Sequence, residues 1–266
     1  MPEETGRQSK SLVRGSSILN VFSSSRSGLT RIESADTTDF APSTVHRLLA
    51  ILEKQAFLSI DYEIGRWRIG ISGFRIGNVF VRSCDYVAEL RPLMIELSDR
   101  TGETINVPIL SGSTALFVSQ IESAIMMGMI SPLDSLSPLH ASSAGKASLA
   151  ALVDQEERAE LMVQLNFDAM THKTLRSRAS LSEEIECILA EGWSYNRGEY
   201  VDGMRCVAAL VFGELGAPIC ALSISGPSVL LTERVLAGHG DAVSKTAQMA
   251  IQFLGGVAPK HWSSHA

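Results

Sequence analysis

The sequence lacks the features of membrane and secreted proteins. No apolar run approaches the roughly 20 residues that a membrane-spanning helix needs. The polar first ten residues contain no apolar segment of the kind found in signal peptides. The four cysteines are far apart and form no C-x-x-C pair, so neither a zinc site nor a disulfide framework is expected. These absences favour a reduced, cytoplasmic protein without a metal or cofactor.

The motifs of several common enzyme classes are also missing. There is no G-x-S-x-G elbow, no H-E-x-x-H pair and no evident pair of catalytic carboxylates. G-K-A-S at 145–148 resembles the end of a phosphate-binding loop, but the upstream glycine of that motif is absent. We therefore expect a protein that is not an enzyme. One alternative stays open, in which Cys206 and His140 form a thiol dyad that acts on a small acid.

The charges are distributed unevenly along the chain, whose net charge is −6. Residues 1–82 contain 11 Lys and Arg against 8 Asp and Glu, whereas residues 83–266 contain 12 against 21. A mildly basic N-terminal part on an acidic body is typical of a protein that contacts nucleic acid through one end.

Residues 41–54, A-P-S-T-V-H-R-L-L-A-I-L-E-K, have the apolar spacing of an amphipathic helix. The buried stripe is predicted to contain Val45, Leu48, Leu49 and Leu52. The opposite face carries small donors and one guanidinium, which suit a DNA major groove: Ser43, Thr44, His46 and Arg47. Taken alone, this face fits the solvated side of an ordinary amphipathic helix better than a DNA-reading surface.

The neighbouring segments favour a helix-turn-helix followed by a wing. Helices are predicted at 10–24 and 31–37, the second capped by Thr30, and a tight turn at 38–40 precedes the helix at 41–54. Strands at 57–61 and 66–69 alternate as in a β-hairpin. Arg66 and Arg68 share one side of this hairpin, where they would reach phosphates or the minor groove, or would be plain surface charges.

The remaining sequence predicts a linker helix at 71–81 and then an α+β domain with an antiparallel sheet. Helices are expected at 85–101, 141–152, 155–165, 182–191 and 232–254. Strands are expected at 104–110, 115–121, 125–130, 192–197, 205–212 and 218–225. A proline-bearing loop is expected at 131–138, and the tail after residue 255 is expected to be frayed. The predicted domains are 9–70 for DNA binding, 71–84 for the linker helix and 85–255 for effector binding.

Several motifs, in this order and spacing, resemble those of the IclR family of bacterial transcription regulators. They are S-L-V-R-G-S-S-I-L-N-V-F at 11–22, S-T-V-H-R-L-L-A-I-L at 43–52, G-R-W-R-I-G at 65–70, L-H-A-S-S-A-G-K-A at 139–147, Y-V-D-G-M-R-C-V-A-A at 200–209 and A-L-S-I-S-G-P at 221–227. The resemblance covers about residues 9–254. It implies a winged helix-turn-helix domain and a GAF-like effector domain with an antiparallel sheet.

The same resemblance implies a ligand-responsive regulator that binds a double-stranded, palindromic operator as a homodimer or homotetramer. Two residues depart from the family pattern. Asp39 stands in the turn where the family usually has glycine, although aspartate tolerates left-handed backbone better than most residues. Pro42 stands where a basic residue is common, which removes one phosphate contact.

The resemblance further implies that the second domain binds a small organic acid, and several residues suit such a site. The free N–H groups of Ser143, Ala144 and Gly145 at a helix start would form an anion site. Ser223 and Ser225 lie two apart on a strand and would donate to the same ligand. The predicted apolar wall contains Met127, Met129 and Ile130. The resemblance adds Asn196 and Cys206 as pocket residues.

The ligand predicted for this site is glyoxylate or a similar 2-oxo or 2-hydroxy acid, and the alternative is an aromatic acid. Each site residue also has a structural interpretation. In that interpretation the serines bond strand-end backbone groups, Cys206 is a small buried apolar residue, and the S-S-A-G run permits close helix packing.

Overall fold

The structure is a computed structural model that describes residues 10–23, 25, 27–83, 85–123, 135–152, 154–260 and 262. The chain divides into two compact units, Met1–Cys84 and Asp85–Ala266. Within the described ranges, every helix is too short or too polar to cross a bilayer.

The first unit is a winged helix-turn-helix, as predicted. It contains α1 (Lys10–Ser23), α2 (Arg31–Thr38), α3 (Pro42–Lys54), β1 (Leu58–Asp61), β2 (Arg66–Ile69) and α4 (Ile71–Ser83). β1 and β2 pair antiparallel. Helices α1, α2 and α3 and the hairpin enclose a small apolar core that includes Ile18, Phe22, Val45, Leu49, Leu58 and Trp67.

Local chemistry sets the turns of this unit. The Thr30 hydroxyl accepts from the Glu33 N–H at 3.2 Å, and a Glu33 carboxylate oxygen accepts from the Thr30 N–H at 2.7 Å. This reciprocal capping box fixes the start of α2. Asp39 ends α2 in the left-handed region with φ 58°, and Pro42 lies in the first turn of α3, where its missing N–H costs no hydrogen bond.

The second unit is an α+β domain, as predicted. Its helices are α5 (Asp85–Thr101), α6 (Ser143–Ala151), α7 (Gln155–Gln164), α8 (Arg178–Glu191) and α9 (Glu233–Phe253). Its strands are β3 (Thr104–Ser111), β4 (Thr114–Ile121), β5 (Leu136–Pro138), β6 (Ser194–Asn196), β7 (Met204–Phe212) and β8 (Pro218–Pro227). The sheet order is β5-β4-β3-β8-β7-β6, and all pairs are antiparallel.

Helix α6 packs against β6, β7 and β8, and this places its N-terminus beside the centre of the sheet. All nine residues of α6 are buried, and most of them are Ser, Ala or Gly. These small side chains let the helix lie close to the sheet. Helix α9 packs against β7 and β8. Its Gly240 lies so close to the Trp193 ring that an added Cβ would be 2.2 Å from a ring carbon.

Two predictions for the second unit were wrong in part. Residues 136–138 were expected in a loop but form β5, which pairs with Thr114–Leu116 of β4 because their backbone groups continue the ladder. The tail was expected to be frayed, yet the Val257 N–H donates to the Gly213 carbonyl at 3.1 Å and buried Trp262 packs edge-on against Phe212. The predicted strand at 125–130, with Met127, Met129 and Ile130, lies outside the described residues.

Candidate functional site: a recognition helix and an effector cleft

Helix α3 presents the predicted polar face to solvent. Val45, Leu48 and Leu49 are buried in the core of the first unit. On the other side Ser43, His46 and Arg47 are exposed and Thr44 is partly exposed. The helix therefore offers hydroxyl donors and a guanidinium at its N-terminal end, the end that enters a major groove in helix-turn-helix proteins.

The two wing arginines have different surroundings. Arg66 donates to the Gly28 carbonyl at 2.6 Å and pairs with Glu33 of α2 at 3.1 Å. The pKa of Glu33 is lowered by hydrogen bonds from Thr30 first and by the Arg66 charge after them. Arg68 is exposed on the same strand. Arg66 thus ties the wing to α2, whereas Arg68 extends into solvent.

Most of the predicted effector residues line one cleft in the second unit. Of those predicted, the structure brings together Ser143, Ala144, Asn196, Cys206, Ser223 and Ser225. The cleft is also lined by residues that were not predicted: Asn106, Phe117, Ser137, Ser142, Tyr200, Val201 and Met204. None of these described lining residues is cationic, so an anion would be held by neutral donors.

The N-terminus of α6 supplies two of those donors. Ser142 caps the helix and its hydroxyl accepts the Gly145 N–H at 3.2 Å, so that N–H is not free for a ligand. A Cβ at position 145 would lie 2.4 Å from the Leu139 Cα, which explains the glycine by close packing. The N–H groups of Ser143 and Ala144 have no partner among the described residues. They are therefore open to a carboxylate.

A row of polar side chains crosses the sheet at the cleft. Gln120 of β4 donates to Asn106 of β3 at 2.7 Å, and Asn106 donates to Ser225 of β8 at 3.1 Å. Cys206 of β7 pairs in register with Ser225, and Asn196 of β6 pairs with Cys206. Sequence reasoning missed Asn106 and Gln120. The position of Asn106 between Ile105 and Val107 in β3 was the available signal for that residue, and Gln120, which follows Ser119, had none.

Asn196 lines the cleft, but its side chain is engaged within the protein. Its amide nitrogen donates to the Ala141 carbonyl at 2.9 Å. Its amide oxygen accepts the N–H groups of Gly198 and Glu199 at 2.8 and 2.9 Å. These bonds join the turn after β6 to the segment before α6, so the side chain positions the cleft wall.

The thiol of Cys206 is not activated. Burial raises the pKa of Cys206 to about 11, more than a hydrogen bond from Ser225 lowers it. The His140 ring nitrogen lies 3.2 Å from the Asp168 carbonyl oxygen, and the ring packs at a tilt of 54° against Phe167. No hydrogen bond joins His140 to Cys206 in the described part of the chain, and no cluster of metal-ligating side chains occurs there.

A buried ion triad lies behind the cleft and was also not predicted. The side chain of Lys146 is fully buried, and its ammonium lies 2.9 Å from Glu184 and 3.0 Å from Glu199. Lys146 belongs to α6 and Glu184 to α8. Glu199 follows the turn held by Asn196. The triad therefore links α6, whose N-terminus lines the cleft, to two neighbouring segments.

Comparisons with known proteins agree with this architecture. Residues 11–61 match the family model "IclR helix-turn-helix domain", and residues 79–251 match "Bacterial transcriptional regulator IclR C-terminal". The transcriptional repressor IclR of Escherichia coli is 34% identical over 94% of this chain and 92% of its own length.

Two further relatives agree. The acetate operon repressor of Salmonella typhimurium is 33% identical over 94% of this chain and 91% of its own. The crystal structure of a putative IclR regulator from a Silicibacter species has a TM-score of 0.77 and 20% identity, covering 94% of this chain and 98% of that one. At that identity the structure supports the fold alone. The matched domains and the curated relatives show that the chain belongs to the IclR family of bacterial transcriptional regulators, with a DNA-binding helix-turn-helix and an effector domain.

Proposed function

We propose that this regulator reads its operator through α3 and the wing, in the bacterial cytoplasm. The observation that supports this most is the exposed N-terminal face of α3. Ser43, Thr44 and His46 would donate to bases or phosphates, and Arg47 would contact a base edge, because a guanidinium can bind guanine through two hydrogen bonds. Arg68 of the wing would contact phosphate, and Arg66 would hold the wing in place.

A matched pair of variants tests the role of Arg47. Arg47→Ala should weaken binding to the DNA upstream of its own gene by about 5- to 150-fold, or roughly 1–3 kcal/mol, in a gel shift at fixed salt. Lys54→Ala removes one exposed charge from the other end of α3 and should change the affinity much less. Equal losses of affinity in the two variants would mean that Arg47 contributes only its charge and does not contact a base. Absence of any salt-sensitive shift at micromolar protein would refute DNA binding at this region.

We further propose that the cleft binds a small 2-oxo or 2-hydroxy acid, with glyoxylate as the best candidate, and that binding changes operator affinity. The supporting observation is the convergence of neutral donors without a cation: the Ser143 and Ala144 N–H groups and the Ser223 and Ser225 hydroxyls. One small anion matches such a set, because a polyanion would need more compensating charge. One relative is named as the repressor of an acetate operon, and acetate is itself a small carboxylic acid, which favours a ligand of this class.

Titration calorimetry against a panel of oxo, hydroxy and aromatic acids tests the ligand class. Ser223→Ala combined with Ser225→Ala should abolish the response of DNA binding to the acid and leave binding without acid intact. Ser194→Ala is the matched control, since its buried hydroxyl lies on β6 of the same sheet and does not line the cleft. A retained response in the double variant would place the site elsewhere.

A homodimer or homotetramer on a palindromic operator completes the proposal. Helices α1 and α4 expose apolar side chains, among them Leu12 at 71%, Phe74 at 64% and Val79 at 68%. Exposed apolar surface of this kind marks a protein interface. Analytical ultracentrifugation should show a dimer or larger species at micromolar protein, and Phe74→Glu should shift it toward monomer. A monomer in the unaltered protein would contradict the proposal.

A further inference from the structure

Three polar side chains form a directed chain of hydrogen bonds beside the cleft. The Gln120 amide nitrogen donates to the Asn106 amide oxygen at 2.7 Å, and the Asn106 amide nitrogen donates to the Ser225 hydroxyl oxygen at 3.1 Å. The three residues belong to neighbouring strands β4, β3 and β8. Asn106 is 1% exposed and Ser225 is 5% exposed, so water replaces these bonds poorly.

The direction of this chain determines the role of Ser225. An asparagine amide has one donor end and one acceptor end. Because Gln120 occupies the acceptor end of Asn106, the donor end faces Ser225. The Ser225 hydroxyl therefore accepts from Asn106, and its own proton must point elsewhere. That proton can be given to the Cys206 sulfur, which is a weak acceptor, or to a ligand in the cleft that Ser225 lines.

We infer that Gln120 and Asn106 fix the Ser225 hydroxyl as a donor toward the cleft, and thereby make the site select a carboxylate oxygen over an amide nitrogen. The inference rests on the proposed function, in which this cleft binds a small acid. Asn106 and Gln120 act through Ser225 and are positioning residues. Both oxygens of a carboxylate can accept a hydrogen bond, so one oxygen can face Ser225 while the other faces the Ser143 and Ala144 N–H groups. A primary amide has a single acceptor oxygen, so in either orientation its N–H2 group faces one set of donors.

Two matched ligand pairs test this selectivity in the full chain by calorimetry: glycolate with glycolamide, and pyruvate with pyruvamide. The unaltered protein should bind an acid at least about tenfold more tightly than its amide, since a hydrogen bond to a charged group contributes roughly this much. Asn106→Leu, which adds no charge, should lower the acid-to-amide ratio by about tenfold. Gln120→Met should lower it by about threefold, because the Asn106 amide can then rotate.

A double-variant cycle separates positioning through Ser225 from a general loss of structure. In a Ser225→Ala background, adding Asn106→Leu should change the ratio by less than about twofold, since the hydroxyl that Asn106 orients is gone. An equal fall of the ratio with and without Ser225, or an unchanged ratio in Asn106→Leu, overturns the inference and leaves the proposed function standing.

Folding and ligand binding are controlled separately. Each variant is checked for a cooperative thermal unfolding transition. If Asn106→Leu does not fold, Gln120→Met is used for the test instead, because Gln120 is only partly buried. An unchanged acid-to-amide ratio in Gln120→Met then overturns the inference. If neither acid binds the unaltered protein, the proposed ligand class fails together with this inference.

Discussion

Lys146→Met would leave two largely buried carboxylates without their cation. In the structure the Lys146 ammonium is fully buried and lies about 3 Å from Glu184 and Glu199, whose side chains are 18% and 7% exposed. Methionine fills a similar volume, so the variant mainly removes charge. Loss of one partner from a buried ion pair costs roughly 3–5 kcal/mol, because the remaining charge stays desolvated.

That cost is large for a single domain, whose free energy of unfolding is about 5–15 kcal/mol. For a unit of this size, 1 kcal/mol lowers the melting temperature by roughly 2–4 °C, so the expected decrease is about 6–20 °C. Calorimetric melting of the full chain is the suitable assay, since the two units can unfold in separate transitions and only that of the second unit should move.

A charge-free control separates electrostatics from packing. Lys146→Met combined with Glu184→Gln and Glu199→Gln keeps similar shapes and leaves no unpaired charge, so most of the lost stability should return. The Glu199→Gln side chain can still accept the Arg197 N–H that the carboxylate accepts now. A decrease below about 2 °C in Lys146→Met, or a triple variant no more stable than the single one, would refute the reasoning.

Three other consequences can be measured. Burial raises the pKa of Glu103 above its ordinary value, so ionisation of its carboxyl group destabilises the folded protein as pH rises. Glu103→Gln should therefore raise the urea midpoint at pH 7, with a gain that vanishes as pH falls toward 4. Equal gains at both pH values would contradict this. With a pKa of about 11, the Cys206 thiol should resist iodoacetamide at pH 7.5 while exposed Cys187 reacts, and rapid labelling of Cys206 would revive the thiol-dyad alternative. Asp39→Asn should tighten DNA binding by about two- to fivefold at low salt, since asparagine also tolerates the left-handed turn; an unchanged affinity would place Asp39 away from the DNA.

The elements that sequence reasoning located well are those with local signals. The box of Thr30 and Glu33 starts α2, Pro42 starts α3, and the apolar spacing of 85–101 coincides with α5. Each of these depends on residues within a few positions of one another. β5 had no such signal, because a three-residue strand with a proline is defined by its pairing with β4.

Residue patterns alone pointed to the cleft only where a motif lay along one segment, whereas Asn196 and Cys206 came from the family resemblance. Ser223 with Ser225, and Ser143 with Ala144, are such short patterns, and the structure places all four at the cleft. The partner of Ser225 lies 119 positions away, and the partners of Lys146 lie 38 and 53 positions away. None of these three spacings matches the period of a helix or a strand. Gly145 shows the opposite error, since its motif suggested an anion contact and packing against Leu139 accounts for it.

The two sites proposed for this chain attract negative charge by different physical means. On α3 and the wing, exposed Arg47 and Arg68 would meet phosphates or bases, and attraction between solvent-exposed charges weakens as salt is added. In the cleft, buried N–H groups and hydroxyls of formally neutral residues would hold the acid, and partly buried contacts are screened much less. Formal charge is visible in a sequence, so the excess of Lys and Arg in residues 1–82 pointed to the first site. The donors of the proposed second site add nothing to a charge count, and the fold brings them together by placing the start of α6 and β8 at one cleft.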